Sequence, residues 1–91
     1  MTVEQFAIQQ INTLISGYDE IELEMYVDDR SFSIDFIVTV NGERKQCLDL
    51  IDEGVIPMRA YEAVSDKIVA HVRASEGYKS GSVNIYKTSS K

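Results

Sequence analysis

Residues 20–28 alternate without a break: Ile21, Leu23, Met25 and Val27 are apolar, and Glu20, Glu22, Glu24, Tyr26 and Asp28 lie between them. A period of two puts every apolar side chain on one face of a strand and every carboxylate on the other. Such a strand cannot stand alone. Its apolar face must be covered by a second layer, and its backbone must find neighbouring strands.

The flanking sequence supplies both. Val3, Phe6, Ala7, Ile11, Leu14 and Ile15 recur at helical spacing and predict a helix over about 3–15. Thr2 and Gln5 have capping-box spacing at its start, and Gly17 is expected at the left-handed position after its end. Asp28-Asp29-Arg30-Ser31 reads as a turn into a second strand over about 32–39. There Phe32, Ile34, Phe36 and Val38 share the buried side, and Ile37 is apolar on the wet side.

Asn41-Gly42 marks the next hairpin. A two-residue loop would pair Phe36 with Cys47 and Ile34 with Asp49, which carries a carboxylate into the core. A three-residue loop, Val40-Asn41-Gly42, with Gly42 in a bulge, sets Ile34 against Leu48 and Phe32 against Leu50. That register predicts a third strand over about 43–50 and places Cys47 on the outer face. Asp52-Glu53-Gly54 is a turn, and Pro57 suits the first turn of a second helix over about 57–74. Its buried stripe is Tyr61, Val64, Ile68 and Val72, with Ala60 and Ala63 allowing close approach. Residues 82–87 read as a short fourth strand, and 87–91 as a frayed tail.

The expected fold is α+β, in the order α-β-β-β-α-(β). A three- to four-stranded antiparallel meander carries two helices on one face. Residues 1–91 form a single domain. A chain this short buries only about 60–65% of its unfolded surface, which leaves little room for a deep pocket.

The net charge of −6 is unevenly spread. Residues 1–53 hold twelve acidic and three basic side chains, and residues 54–91 hold three acidic and six basic. A charge lobe of this kind orients a partner or a second copy of the chain. One cysteine excludes an internal disulfide. A reducing, cytoplasmic setting is expected, with no signal peptide and no membrane span.

Chemistry-bearing motifs are sparse. His71 is the only histidine, and it sits off the apolar stripe of its helix. Cys47 has no histidine in motif spacing, so nucleophilic catalysis is disfavoured. No CxxC, HExxH, EF-hand or phosphate-loop pattern occurs. Asp49, Asp52 and Glu53 read as a solvated turn rather than a cation site. No catalytic residue, cofactor or metal is expected, and the chain is read as a non-enzyme.

Helix, three strands, helix resembles the order of the double-stranded RNA-binding domain over about residues 3–74. The resemblance implies a basic cluster opening the second helix. Here that stretch is Pro57-Met58-Arg59-Ala60-Tyr61-Glu62, and the loop between the first strands is acidic. Nucleic-acid binding is therefore disfavoured. Lys79, Lys87 and Lys91 with Tyr78 and Tyr86 read as a basic edge rather than a single-strand platform. The same order with an acidic surface is similar to some small phage anti-CRISPR proteins, which implies a mobile-element origin and an inhibitor that occupies a basic groove.

Carboxylates at Glu20, Glu22 and Glu24 stand roughly 7 Å apart along a strand, close to the phosphate spacing of one DNA strand. The expected contact surface is Glu20, Glu22, Glu24, Tyr26, Asp28, Ile37 and Cys47. The expected partner is a protein with a basic surface, the chain acting as an inhibitor or nucleic-acid mimic. The alternative is a structural homodimer that pairs through the sheet face or an edge strand.

Overall fold

The computed structural model describes residues 1–89. Its elements run α1 (Val3–Asn12), β1 (Glu20–Val27), β2 (Phe32–Val40), β3 (Glu43–Gln46), α2 (Cys47–Asp52), α3 (Met58–Ala74) and β4 (Ser82–Ser89). The strands form one antiparallel sheet in the order β3-β2-β1-β4. The fold is α+β, as the alternation and the two helical stripes require.

Thr2 caps α1 through the capping box: its side chain accepts from the Gln5 backbone, and the Gln5 side chain accepts from the Thr2 backbone. The helix ends earlier than expected, with Thr13 as its C-cap, and Gly17 (φ +80°) turns the chain in the loop beyond. Ile21, Leu23, Met25 and Val27 are fully buried, facing Val38, Phe36, Ile34 and Phe32 across the β1–β2 ladder. Ala7 and Ile11 of α1 and Val64, Ile68, Val69 and Val72 of α3 close the same core, with Tyr61 packed at its border. Ala63 faces solvent rather than a neighbouring element. Phe32 lies at the end of the inner row and stays 43% exposed.

The expected hairpin loop and third strand are not what forms beyond residue 40. The β2–β3 loop has two residues, with Val40 facing Glu43. Asn41 (φ 51°) and Gly42 (φ 81°) are both left-handed, the geometry of a type I′ turn, so Gly42 is not in a bulge. The objection to this register was that it buries Asp49. It disappears because the strand stops at Gln46, and Cys47–Asp52 is a helix. Asp49 then serves as a helix-start acceptor for the Gln46 N–H at 3.3 Å. Cys47 and Leu50 are buried, Ile51 is half-buried and Leu48 is 57% exposed, the reverse of the expected Leu48 pairing. Gly54 closes α2: its N–H donates to Ile51 C=O at 3.0 Å and the Val55 N–H to Leu50 C=O at 2.9 Å, a Schellman motif.

Pro57 precedes the last helix as its N-cap residue rather than lying inside its first turn. The fourth strand is longer than expected. Lys87, Thr88 and Ser89, read as tail, pair with Glu22, Ile21 and Glu20. Residues 90 and 91 of that expected tail lie outside the described residues. β4 therefore makes β1 an internal strand. Its pairing and helix α2 also depart from the order that resembles the double-stranded RNA-binding domain.

One corner is tied together by long-range hydrogen bonds. Arg73 Nε and Nη2 donate to Asp28 C=O at 3.0 and 2.7 Å, Tyr78 donates to Asp29 Oδ1, and the Asp29 N–H donates to Ser80 Oγ. Arg73→Ala is expected to cost about 1 kcal/mol, as for a solvent-facing charged hydrogen bond, and to speed amide exchange at Asp28–Ser31. Unchanged exchange there would show that the turn holds itself.

Candidate functional site

α1 and α3 cover the inner face of the sheet, and among the described residues no element covers the outer face. Its rows follow from the register. β1 presents Glu20, Glu22, Glu24 and Tyr26; β2 presents Thr39, Ile37, Asp35 and Ser33; β4 presents Ser89, Lys87, Ile85 and Val83. Arg44 stands at the β3 end of this surface, facing Thr39.

The carboxylates of β1 are not equivalent. Glu20 pairs with Lys87 and Glu22 with Arg44, each at 3.5 Å. Both pairs are exposed and weak. Glu24 has no ion pair among the described residues, and it stands directly opposite Asp35 on β2. Like charges facing across a ladder repel. On its other side Glu24 faces Ile85, which is 63% exposed, and Tyr26 faces Val83, 56% exposed. Half-buried Ile37 and Tyr26 complete the surround. The register thus sets Glu24 and Asp35 opposite each other beside four apolar or amphipathic side chains, with the Asp35 carboxylate accepting from Ser33 Oγ at 3.4 Å and lying 3.7 Å from Cys47 Sγ. Cation binding there would relieve the repulsion, and apolar contact would cover Val83 and Ile85.

Asp28 is committed elsewhere. Its carboxylate accepts the Arg30 and Ser31 N–H groups at 2.8 and 2.9 Å and the Tyr26 hydroxyl at 3.0 Å. The backbone donors hold its pKa below the usual value, while the neighbouring carboxylate pushes the Tyr26 phenol up. Asp28 shapes the turn and orients Tyr26 at the border of the face.

Cys47 corrects the sequence reading most sharply. It opens α2, is 2% exposed and sits in the core, with Sγ 3.7 Å from Asp35 Oδ1. The outer-face placement required a strand through residue 50, and the helix removes it. Burial pushes the thiol pKa up, and Asp35 adds to the shift. A thiol held protonated is a poor nucleophile. Burial likewise raises the phenols of Tyr18, Tyr61 and Tyr86. The folded chain keeps these protons after the unfolded chain has lost them, so stability falls as pH rises past the ordinary thiol value of 9.0 and then the phenol value of 10.0. Melting temperature is expected to be flat from pH 7 to about 8.5 and to fall above it. Cys47→Ala should flatten the first part of that fall; an identical slope in the variant would place its origin elsewhere.

His71 stacks on Phe6 with ring centroids 4.0 Å apart, bridging α3 and α1 at the core rim. Asp49 and Glu53 are likewise engaged, Glu53 in an ion pair with Lys45 at 2.8 Å. No group of three or more metal-ligating side chains occurs among the described residues. No described helix is long and apolar enough to cross a membrane.

Sequence reasoning missed Asp35, Val83 and Ile85. The signal for Asp35 is the alternation of residues 32–39, and that for Val83 and Ile85 is Ser82-Val83-Asn84-Ile85-Tyr86-Lys87, which puts Val83, Ile85 and Lys87 on one side. Only the pairing of β4 with β1 shows that this side adjoins the glutamates.

None of the protein-family models, curated proteins or solved structures compared with the chain matches it.

Proposed function

We propose that the chain is a non-enzymatic interaction protein that binds a basic protein surface through the uncovered outer face of its sheet. The observation that carries this reading is the Glu24–Asp35 pair: two facing carboxylates bordered by Tyr26, Ile37, Val83 and Ile85. An arginine or lysine on an apolar ridge satisfies both parts of that surface, the charge by pairing and the ridge by burial. Arginine suits it best, because its guanidinium donates to two carboxylates while its flat face packs on Tyr26.

The nucleic-acid-mimic form of the reading has less support. A mimic needs an even line of free carboxylates, and here Glu20 and Glu22 are matched by Lys87 and Arg44. Glu24 is the one of the three without a cation among the described residues, and it faces Asp35 in the ladder. The test is affinity capture with the wild-type chain and with Glu20, Glu22 and Glu24 all changed to Lys. A basic protein retained by the wild type, released by salt and absent from the variant supports the reading. Equal recovery by both would sink it.

A further inference from the structure

The two edges of the sheet are built differently. The β3 edge is four residues long and carries Glu43, Arg44 and Lys45, after which the chain leaves the sheet as α2. Shortness, charge and a departing helix are the usual devices that stop an edge from recruiting another strand. Among the described residues the β4 edge is neither short nor followed by a departing helix. It runs eight residues in unbroken register with β1, with no proline and no bulge. Its one lysine, Lys87, is paired with Glu20.

Apolar surface flanks this bare edge on both sides of the sheet. Val83 and Ile85 are exposed on the outer side. On the inner side α1 overhangs the edge, tied to it by the Thr88 hydroxyl donating to Glu4 Oε1 at 3.1 Å. Met1, Ile8 and Thr88 line an open groove of about 620 Å³ beneath that overhang. Between Val83 and Thr88, an edge strand that exposes apolar side chains is costly to leave in water.

We propose that a second copy of this chain pairs antiparallel with β4, about a two-fold axis beside Ile85, to make one eight-stranded sheet. A two-fold normal to the sheet keeps the helices of both copies on the same side. With the axis at Ile85, that side chain meets the partner's Ile85, Val83 meets the partner's Lys87, and Asn84 meets the partner's Tyr86. Along the paired strands no like charges oppose each other, and the lysine stem covers a valine while its ammonium still reaches Glu20. Moving the axis to Lys87 would set two lysines face to face. The inference stands apart from the basic-partner reading. It adds one consequence to it: the paired outer faces become an apolar strip of Val83 and Ile85 between two acidic rows roughly 14 Å apart, three strand spacings.

Sedimentation velocity across micromolar concentrations tests the pairing. The wild type is expected at twice the 10.3 kDa chain mass. Each copy is net acidic, so salt should strengthen the dimer by screening, whereas it weakens capture of a basic partner. Ile85→Lys, at an exposed position, should return the chain to one chain mass while it still melts cooperatively. Ile85→Cys should be joined to its copy by a short thiol cross-linker, and Arg44→Cys on the β3 edge should not. Overturning results are a wild type at one chain mass throughout, or a dimer that survives Ile85→Lys with no cross-link at position 85. A one-chain wild type whose β4 amides become protected only on adding a foreign peptide would also overturn it.

Discussion

Leu23→Ala is expected to remove about 3–5 kcal/mol of stability, a large part of the total for a domain of this size, on the order of 5–10 kcal/mol. Leu23 is fully buried at the middle of β1 and faces Phe36 on one side and Tyr86 on the other. Each neighbour is held by its own strand, so the hole cannot collapse, and the cost combines lost transfer energy with an unfilled cavity. Urea unfolding should show a much lower midpoint at an unchanged slope. A loss below about 1 kcal/mol would mean that the inner row of β1 is not the centre of the core.

The second large effect concerns binding and leaves the core alone. Glu24→Lys is expected to weaken binding to a basic partner by about 30-fold or more, since it places a cation where the partner's own cation would sit. The same change should raise the melting temperature, because the new side chain would face Asp35 as an opposite charge. Loss of affinity with gain of stability is hard to produce by misfolding. Titration calorimetry with the captured partner, alongside thermal melting, reads both quantities. Unchanged affinity with raised stability would assign Glu24 to solubility rather than contact.

Some elements are legible in the sequence because their signals are local. The alternation of residues 20–28 and the stripe from Ala7 to Ile11 need only a few neighbours to be interpreted, and Thr2 and Gln5 lie three residues apart. Helix α2 departs from the expected strand although the sequence carries a signal for it. Cys47, Leu50 and Ile51 fit helical spacing, and Gly54 fits a helix stop. The apolar run also fits a strand, and extending β3 to residue 50 turned a correct two-residue turn into an apparent buried carboxylate. Ending the strand at Gln46 removes the conflict without a bulge.

The candidate face was legible only in part. Glu24, Tyr26 and Ile37 follow from parity within their own strands. Asp35 becomes relevant only through the β1–β2 register, and Val83 and Ile85 only through a pairing nearly sixty residues away in sequence. Cation partners for Glu20 and Glu22 come from β4 and β3, so the sequence shows three equal glutamates where the fold leaves one unmatched. Sequence-distant pairing of this kind leaves no local pattern.

Carboxyl footprinting of the chain, free and bound to its captured basic partner, tests the central claim most directly. Labelling of Glu24 and Asp35 is expected to fall on binding, while Glu62 and Asp66, on the solvent side of α3, stay reactive. Protection of Glu62 and Asp66 with Glu24 and Asp35 still fully labelled would contradict the account, because the partner would then sit on the helices and leave the sheet face bare.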